Sequence, residues 1–133
     1  MRVGIDLVAV AAVAEALRTH GDRYLERVFT EREAQACRTA GGTDPARLAA
    51  VLAAKEAAMK VLRPARGTPL PWTDVEVRLA RDDSPTLGLS GSAARLAAEL
   101  HLDDLSVSLT WERGHAAAVV VAAFRVPAPI MAP

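Results

Sequence analysis

The chain has 133 residues, of which 51% are hydrophobic and 24% are charged. This length fits one domain, and the composition excludes a disordered chain. Sixteen basic residues balance sixteen acidic ones, which excludes a general electrostatic site for nucleic acid or an anionic membrane, and no apolar run approaches the roughly twenty residues that span a bilayer.

The first predicted element is a buried strand over "VGIDLVAV", residues 3–10. A carboxylate, Asp6, interrupts this apolar run. A carboxylate withdrawn from water costs several kcal/mol unless it is paired, hydrogen-bonded or bound to a metal. Asp6 is therefore the first candidate for a functional residue.

Three helices are predicted next. The segment "AVAEALRTHG" ends at Gly21, the usual kind of C-terminal cap, and "TEREAQACRTAGG" begins with Thr30 and Glu33 at capping-box spacing and extends to its two glycines. The third helix, "ARLAAVLAAKEAAMKVLR", has the clearest limits, because Asp44 can cap its start and Pro64 follows its end.

The C-terminal half alternates strands with one helix. The predicted order is strand "DVEVRLA", turn "RDDSP", strand "TLGLSG", helix "SAARLAAEL", strand "LSVSLTW" and strand "HAAAVVVAAF". Ser90 or Ser92 is the expected helix cap, and the continuous apolar run of the last strand is typical of a central position. This irregular order predicts an α+β domain over residues 1–126, followed by a loose tail over residues 127–133.

Ionisable residues accompany the apolar stripe of the third helix. At one hundred degrees per residue, the stripe holds Leu48, Val51, Leu52, Met59 and Leu62. Lys55 falls inside it, Glu56 borders it, and Lys60 follows one turn later. A solvated Glu56–Lys60 pair with Lys55 reaching outwards accounts for this pattern by itself. Together with Asp6, the same residues predict a magnesium and phosphate site instead, because Mg²⁺ is held by one or two carboxylates and substrate phosphates.

Five segments carry a resemblance to a known family. They are "GID", "RYLERVFTERE", "LAAVLAAKEAAMK", "WTDVEV" and "VSLTWERGHAAAVVV", in this order from about Val3 to Phe124. In these segments the chain resembles the holo-acyl-carrier-protein synthases, the small phosphopantetheinyl transferases. The resemblance implies the 4′-phosphopantetheinyl transferase fold, a homotrimer with active sites between subunits, and Mg²⁺-dependent transfer of 4′-phosphopantetheine from coenzyme A to a serine of an apo acyl carrier protein.

The resemblance also assigns roles to residues. It implies that Asp6 and Glu56 bind Mg²⁺ and form the catalytic set with Lys60. Coenzyme A is expected to contact Lys55, Lys60 and Ser108. The serine proton leaves to Glu56 or to a magnesium-bound water, and the sequence leaves both routes open.

Four arginines have two interpretations each. Arg23 and Arg27 match the basic residues that receive an acidic helix of the carrier protein, and a solvated surface pair is the alternative. Arg63 and Arg66 lie in "RPARG", where the family has a glycine-rich turn. They either bind a coenzyme A phosphate or mark a remodelled pocket.

Besides "RPARG", the chain departs from the family where arginines are usual, before "AAKE" (Val51 or Leu52 here) and on the first helix (within residues 11–13), and at one further motif position. Trp111 in "SLTWE" stands where the family usually has a histidine, and His115, four residues later, is not its positional substitute. A diverged relative that binds coenzyme A or a carrier protein without transfer is therefore the alternative function. The single cysteine, Cys37, has no partner for a disulfide within the chain and favours a reducing, cytoplasmic location.

Overall fold

The computed structural model describes residues 1–79 and 84–133, in which strands and helices are interleaved irregularly. The strands are β1 (Arg2–Ala9), β2 (Arg38–Thr39), β3 (Gly42–Thr43), β4 (Val75–Arg78), β5 (Thr86–Leu89), β6 (Leu102–Glu112) and β7 (His115–Phe124). The helices are α1 (Val10–His20), α2 (Asp22–Val28), α3 (Glu31–Ala36), α4 (Pro45–Leu62) and α5 (Gly91–Glu99), with a 3-10 turn at Trp72–Asp74.

Five strands form one antiparallel sheet in the order β1-β7-β6-β5-β4, and β2 pairs with β3 in a separate hairpin. The α+β class is confirmed. The continuous apolar run of β7 lies between β1 and β6, which confirms the central position predicted for it. The turn predicted over "RDDSP" lies largely outside the described residues.

The long helix α4 packs against β1, β7 and β6 on one face of the sheet, which we call the inner face. Six alanines from its second turn onwards are buried completely or almost completely: Ala49, Ala50, Ala53, Ala54, Ala57 and Ala58. The predicted stripe is therefore only partly right. Leu48, Val51 and Leu62 are buried, but Leu52 and Met59 lie on the partly exposed side of α4. Short alanine side chains allow the helix axis to approach the sheet more closely than a leucine face would.

Gly4 is the point of closest approach between β1 and α4. A Cβ atom added to Gly4 would lie 2.1 Å from the carbonyl oxygen of Ala57 and 3.1 Å from Cγ2 of Val61. No side chain fits there unless the backbone moves. The glycine of "GID" is thus required by packing, and it brings the following Asp6 close to α4.

The limits of the first helices are confirmed in part. Gly21 ends α1 with φ 55°, and Thr30 and Glu33 form the predicted capping box at the start of α3. However, α3 ends at Ala36, because the following residues form the β2–β3 hairpin and the glycines serve its turn, Gly42 with φ 109°. The sequence analysis also missed α2, whose seven residues give too short a pattern to identify.

The cap of α5 differs from the expectation. Ser90 occupies the N-cap position, but its side chain makes no capping hydrogen bond. Instead, Oδ2 of Asp74 accepts hydrogen bonds from the backbone N–H groups of Ser92 at 2.9 Å and Ala93 at 3.4 Å. A residue from the preceding 3-10 turn therefore caps this helix, which a local sequence pattern does not reveal.

The face of the sheet opposite α4 carries exposed apolar side chains. On β1, Val3, Ile5 and Leu7 are 55%, 63% and 67% exposed, and in register beside them on β7 lie Val119 and Val121. We call these five residues the outer apolar face.

The chain ends in an exposed segment. Residues 125–133 contain neither helix nor strand and are exposed, and the domain boundary after residue 126 stays a prediction. Within the described part of the chain, every helix is too short or too polar to cross a lipid bilayer.

Candidate active site

Asp6 lies on the inner face of β1, opposite Ala118 of β7, and its side chain is 14% exposed. Its Oδ1 accepts a hydrogen bond from Nζ of Lys60 at 2.9 Å, and the same ammonium group donates to the carbonyl oxygen of Ile5 at 2.8 Å. Burial favours the neutral form of Asp6, but hydrogen bonds with Glu56 and Lys60, and the Lys60 charge, lower its pKa below the usual value. Asp6 is therefore an ionised carboxylate held by one lysine.

Glu56 meets Asp6 from α4, one helical turn before Lys60. Partial burial, followed by the hydrogen bond and the negative charge of Asp6, raises the pKa of Glu56 to about 7, although the charge of Lys60 opposes this effect. Two carboxyl groups in this arrangement share a proton near neutral pH, because both cannot ionise without repulsion.

The pair fits a divalent cation of the magnesium type. Oδ2 of Asp6 is buried and accepts no hydrogen bond from an N–H donor among the described residues, so apart from the proton that the two carboxyl groups share, an acceptor oxygen is left for another ligand. Within residues 1–79 and 84–133 no group of three or more His, Cys, Asp or Glu side chains could enclose a metal. Two carboxylates with open coordination positions suit Mg²⁺, which usually keeps waters and binds substrate phosphates.

An apolar cleft opens beside the carboxylates. It has a volume of about 350 Å³ and is lined by Leu7, Val8, Ala9, Ala12, Val13, Tyr24, Leu52 and Glu56. Burial, followed by the charge of Glu56, raises the pKa of Tyr24, so its hydroxyl stays protonated beside the acid. A larger cavity of about 620 Å³ between α2 and α3 contains neither Asp6 nor Glu56. The smaller cleft is therefore the one that adjoins the reactive groups.

Comparisons with known proteins identify the family of the chain. Residues 2–120 match the model of the 4′-phosphopantetheinyl transferase superfamily. The holo-[acyl-carrier-protein] synthase of Rhodopirellula baltica is 37% identical over 119 residues, which cover 90% of this chain and 94% of that relative. The chain belongs to the holo-acyl-carrier-protein synthase family. Asp6, Glu56 and Lys60 all lie inside the matched region.

Solved structures of the family share the fold. The Helicobacter pylori holo-[acyl-carrier-protein] synthase, determined in complex with coenzyme A, superimposes with a TM-score of 0.79 at 26% identity, covering 92% of this chain and all of that chain. The acyl carrier protein synthase of Mycobacterium tuberculosis superimposes with a TM-score of 0.70 at 32% identity, over 92% of this chain and 96% of that one. The phosphopantetheinyl transferase fold expected from the resemblance is confirmed.

Lys55 is not where a coenzyme A contact would lie. Its side chain is 0% exposed, and Nζ donates to Oε1 of Glu33 at 2.8 Å and to the carbonyl oxygen of Val75. Burial lowers the pKa of Lys55, and the Glu33 carboxylate opposes that effect. This corrects the phosphate-binding role expected of Lys55, because a fully buried, paired ammonium group does not reach a ligand. The expected snorkelling of Lys55 is wrong for the same reason.

The arginines expected to bind ligands are exposed. Arg63 and Arg66 follow the C-terminal end of α4, three and six residues after Lys60 in the sequence, and Arg63 adopts a left-handed conformation with φ 46°. Arg23 and Arg27 are exposed at i, i+4 spacing on α2, and no residue of the described ranges forms an ion pair with either. All four side chains are available to a partner.

Ser108 does not face the carboxylates of its own chain. It pairs with Val119, whereas Asp6 and Leu109 both pair with Ala118, so Ser108 and Asp6 lie on opposite faces of the sheet. In a single chain, Ser108 therefore cannot complete the site.

The two residues near the missing motif histidine lie apart from Asp6. Trp111 lies on the inner face opposite Ala116, two strands away from β1, and is 43% exposed. His115 is exposed at the start of β7, as expected of a surface histidine.

The sequence motifs do not assign a functional role to Glu33 or Tyr24. Glu33 was identified only as part of a capping box, although Lys55 inside an apolar stripe requires a buried acid as partner, and that requirement is a signal in the sequence. Tyr24 lines the cleft beside Glu56. The sequence gives no comparable signal for it, because it lies on the short helix α2 that was not predicted.

Proposed function

We propose that this chain transfers 4′-phosphopantetheine from coenzyme A to a serine hydroxyl of an apo acyl carrier protein. The serine Oγ forms a bond to phosphorus, the bond to the leaving group breaks, and adenosine 3′,5′-bisphosphate is released. The observation that supports this most directly is the pairing of Asp6 and Glu56 beside an apolar cleft, in a chain similar over nine-tenths of its length to a holo-[acyl-carrier-protein] synthase.

Asp6 and Glu56 would hold Mg²⁺ in this reaction. The ion supplies Lewis-acid stabilisation of the charge on the diphosphate. Lys60 keeps Asp6 ionised and oriented through the 2.9 Å hydrogen bond. Because the Lys60 side chain is 56% exposed, it remains accessible to a phosphate oxygen of the substrate as well. The serine proton leaves to Glu56 or to water in the site.

Coenzyme A phosphates would also meet Arg63 and Arg66. Both follow Lys60 in the sequence, at and just after the C-terminal end of α4. The three cations Lys60, Arg63 and Arg66 would therefore line one end of the site. Guanidinium groups bind phosphate through two parallel hydrogen bonds, which suits a nucleotide phosphate.

The carrier protein would dock against α2. Arg23 and Arg27 are exposed one turn apart, and α2 also supplies Tyr24 to the cleft beside Glu56. A partner with an acidic helix bound to these arginines would therefore bring its serine near the carboxylates.

A homotrimer would complete the site. The outer apolar face leaves three large side chains of β1 more than half exposed, and a second copy of the chain would cover them. Ser108, on the same face of the sheet, would reach an active site only through such a contact between subunits.

We also place the protein in the cytoplasm. Cys37 is 0% exposed, and burial followed by the charge of Glu33 raises the pKa of its thiol to about 12. A thiol that stays protonated and buried is compatible with a reducing compartment and has no redox role there.

Intact-mass spectrometry tests the proposed reaction. Several apo carrier proteins are incubated with the protein, coenzyme A and Mg²⁺, beside an Asp6→Ala, Glu56→Ala variant. The matched control is an Asp104→Ala, Glu99→Ala variant, which removes two exposed acids far from the cleft. We expect a phosphopantetheine mass increase on the carrier serine with wild type and the control, and none with the site variant or without Mg²⁺.

Absence of modification by folded protein would contradict the transfer. Trp111 at the position of the family histidine is the feature that favours the alternative, a relative that binds coenzyme A or a carrier protein without transfer. Calorimetric titration with coenzyme A and with each apo carrier then separates such a binding protein from one without either activity.

A further inference from the structure

Glu33 and Lys55 form a buried ion pair on the side of α4 that faces α3 and β4. Both side chains are 0% exposed, and they are the two buried charged residues in the described part of the chain. Such a pair is weak evidence for stability, because the cost of removing both charges from water offsets their attraction. Its position, one residue from Glu56, calls for a functional explanation.

The pair is held from three directions. Oε1 of Glu33 accepts from the backbone N–H of Thr30 at 2.8 Å and from Nζ of Lys55 at 2.8 Å, and Oε2 accepts from the backbone N–H of Val77 at 2.7 Å. Lys55 also donates to the carbonyl oxygen of Val75. The network therefore ties α4 both to the start of α3 and to strand β4.

These ties fix the rotation of α4 about its own axis. Lys55 and Glu56 are adjacent, so their side chains leave the helix about 100° apart, one towards β4 and the other towards Asp6 on β1. A side-chain end lies about 5–6 Å from the helix axis, and a rotation of about ten degrees moves it by about 1 Å. Displacements of that size are sufficient to impair a catalytic arrangement.

We propose that Glu33 and Lys55 are positioning residues that hold the Glu56 carboxylate against Asp6 by fixing the rotation of α4. The inference rests on the proposed function, since it assigns the pair to the same metal site. Neither residue contacts a substrate.

The test compares variants by cation binding as well as by activity. Glu33→Gln with Lys55→Met removes both charges of the pair, and the amide oxygen introduced at position 33 can still accept from one of the two backbone N–H groups that Glu33 binds. Glu33→Asp is the second variant, which keeps the charge but shortens the connection by one methylene. Leu48→Ala is the control, because it opens a cavity under the same helix two turns from Glu56 and leaves both charged residues of the pair in place.

Three measurements are made on each variant: melting temperature by circular dichroism, Mn²⁺ affinity by electron paramagnetic resonance with coenzyme A present, and phosphopantetheine transfer. We expect both pair variants to remain folded while Mn²⁺ affinity and kcat/KM fall about 10- to 100-fold, the range found for outer-shell partners of metal ligands. Leu48→Ala should lower the melting temperature yet keep wild-type affinity for Mn²⁺.

The outcomes separate this inference from the proposed function. If the wild-type protein binds Mn²⁺ but transfers no phosphopantetheine, the proposed reaction is contradicted. The positioning role is then tested by comparing the Mn²⁺ affinities of the variants. Folded pair variants with wild-type Mn²⁺ affinity and kcat overturn the positioning role alone. Wild-type protein that binds no Mn²⁺ overturns both.

Discussion

Asp6 and Glu56 face each other at a cost to the fold. The raised pKa of Glu56 means that the folded chain binds its proton more tightly than the unfolded chain does. The stability that the protonated group contributes is fully present below the unfolded pKa, about 4.3 for glutamate, and is lost as pH rises through about 7. Above neutral pH the metal-free protein therefore carries a repulsion that a bound cation would remove.

A Glu56→Gln variant should lack the repulsion between Asp6 and Glu56 and should therefore be more stable at high pH. At pH 8 without divalent cations, we expect the variant to be more stable than wild type by about 1 kcal/mol, after allowance for the partial exposure of Glu56. This corresponds to a rise in melting temperature of about 3 °C. At pH 4 the difference should nearly vanish, because this pH lies below both the unfolded pKa, about 4.3, and the folded pKa of Glu56. Calorimetric melting at both pH values measures the difference.

Added Mg²⁺ provides the complementary measurement. It should raise the melting temperature of wild type and leave the Glu56→Gln variant unchanged, since the variant lacks one of the two carboxylates. Glu99→Gln, an exposed glutamate of α5, is the control and should behave as wild type in every condition. Equal responses of wild type and Glu56→Gln to Mg²⁺ would contradict the assignment of Glu56 as a ligand.

At the residue scale, the sequence was informative where a side chain conflicts with its surroundings. Asp6 in an apolar strand was identified by that conflict alone. Lys55 was also identified by it, but with the wrong role, because the wheel of one helix does not contain the partner acid on α3. Ser108 shows the opposite problem. Its place in the motif gives no indication of the face on which it lies, which depends on strand register.

At the element scale, the distance between β1 and α4 decides whether the two carboxylates meet. Gly4 and the alanine face of α4 keep that distance short. The elements themselves were predictable where caps and apolar runs coincide, as in α4 with Asp44 at its start. The sequence does not reveal that the alanines would be buried, because an alanine is equally compatible with solvent and with a close helix–sheet contact.

Gly4→Ala tests this spacing. A new Cβ 2.1 Å from the carbonyl oxygen of Ala57 forces the backbone of β1 or α4 to shift, and overpacking of this kind costs about 1–3 kcal/mol. We expect a loss of about 2 kcal/mol in the free energy of unfolding, measured with urea, and a weaker Mg²⁺ response as Asp6 moves away from Glu56. Gly41→Ala is the matched control, because its nearest neighbouring atom is 4.0 Å away. Comparable losses in the two variants would show that Gly4 has no special packing role.

The cap of α5 gives a second test at this scale. Asp74→Ala removes the acceptor of two backbone N–H groups at the start of the helix, which should cost about 1–2 kcal/mol. Ser90→Ala should cost only a few tenths, because the Ser90 side chain makes no capping bond. Urea denaturation of both variants decides between the observed cap and the predicted one, and the reverse order of losses would favour the serine.

At the scale of the whole molecule, the outer apolar face is the feature that a single chain leaves unexplained. Val3, Ile5 and Leu7 alternate with inner-face residues along β1, so the same strand serves the site on one side and the exposed face on the other. The sequence correctly predicts an apolar strand here. The sequence does not predict that one face of this strand is exposed, because a continuous apolar run is typical of a strand that is buried on both faces.

Ile5→Glu should disrupt the proposed trimer. A charged side chain at the centre of the outer apolar face would have to be buried without a partner in any assembly that covers it. We expect wild type to sediment at three times the mass of the chain and Ile5→Glu to sediment as a monomer in analytical ultracentrifugation. Val126→Glu, an exposed residue outside this face, is the control and should stay trimeric. Monomeric wild type at micromolar concentration would contradict the trimer.

The alanine face of α4 has a consequence for how the sequence can diverge. Residues that carry no reactive group, such as Ala53 and Ala57, set the gap across which two reactive groups must meet. Each additional methyl group there widens the gap, so a substitution in the core also changes catalytic activity. In a saturation library selected for activity, these alanines should tolerate as few substitutions as the carboxylates themselves.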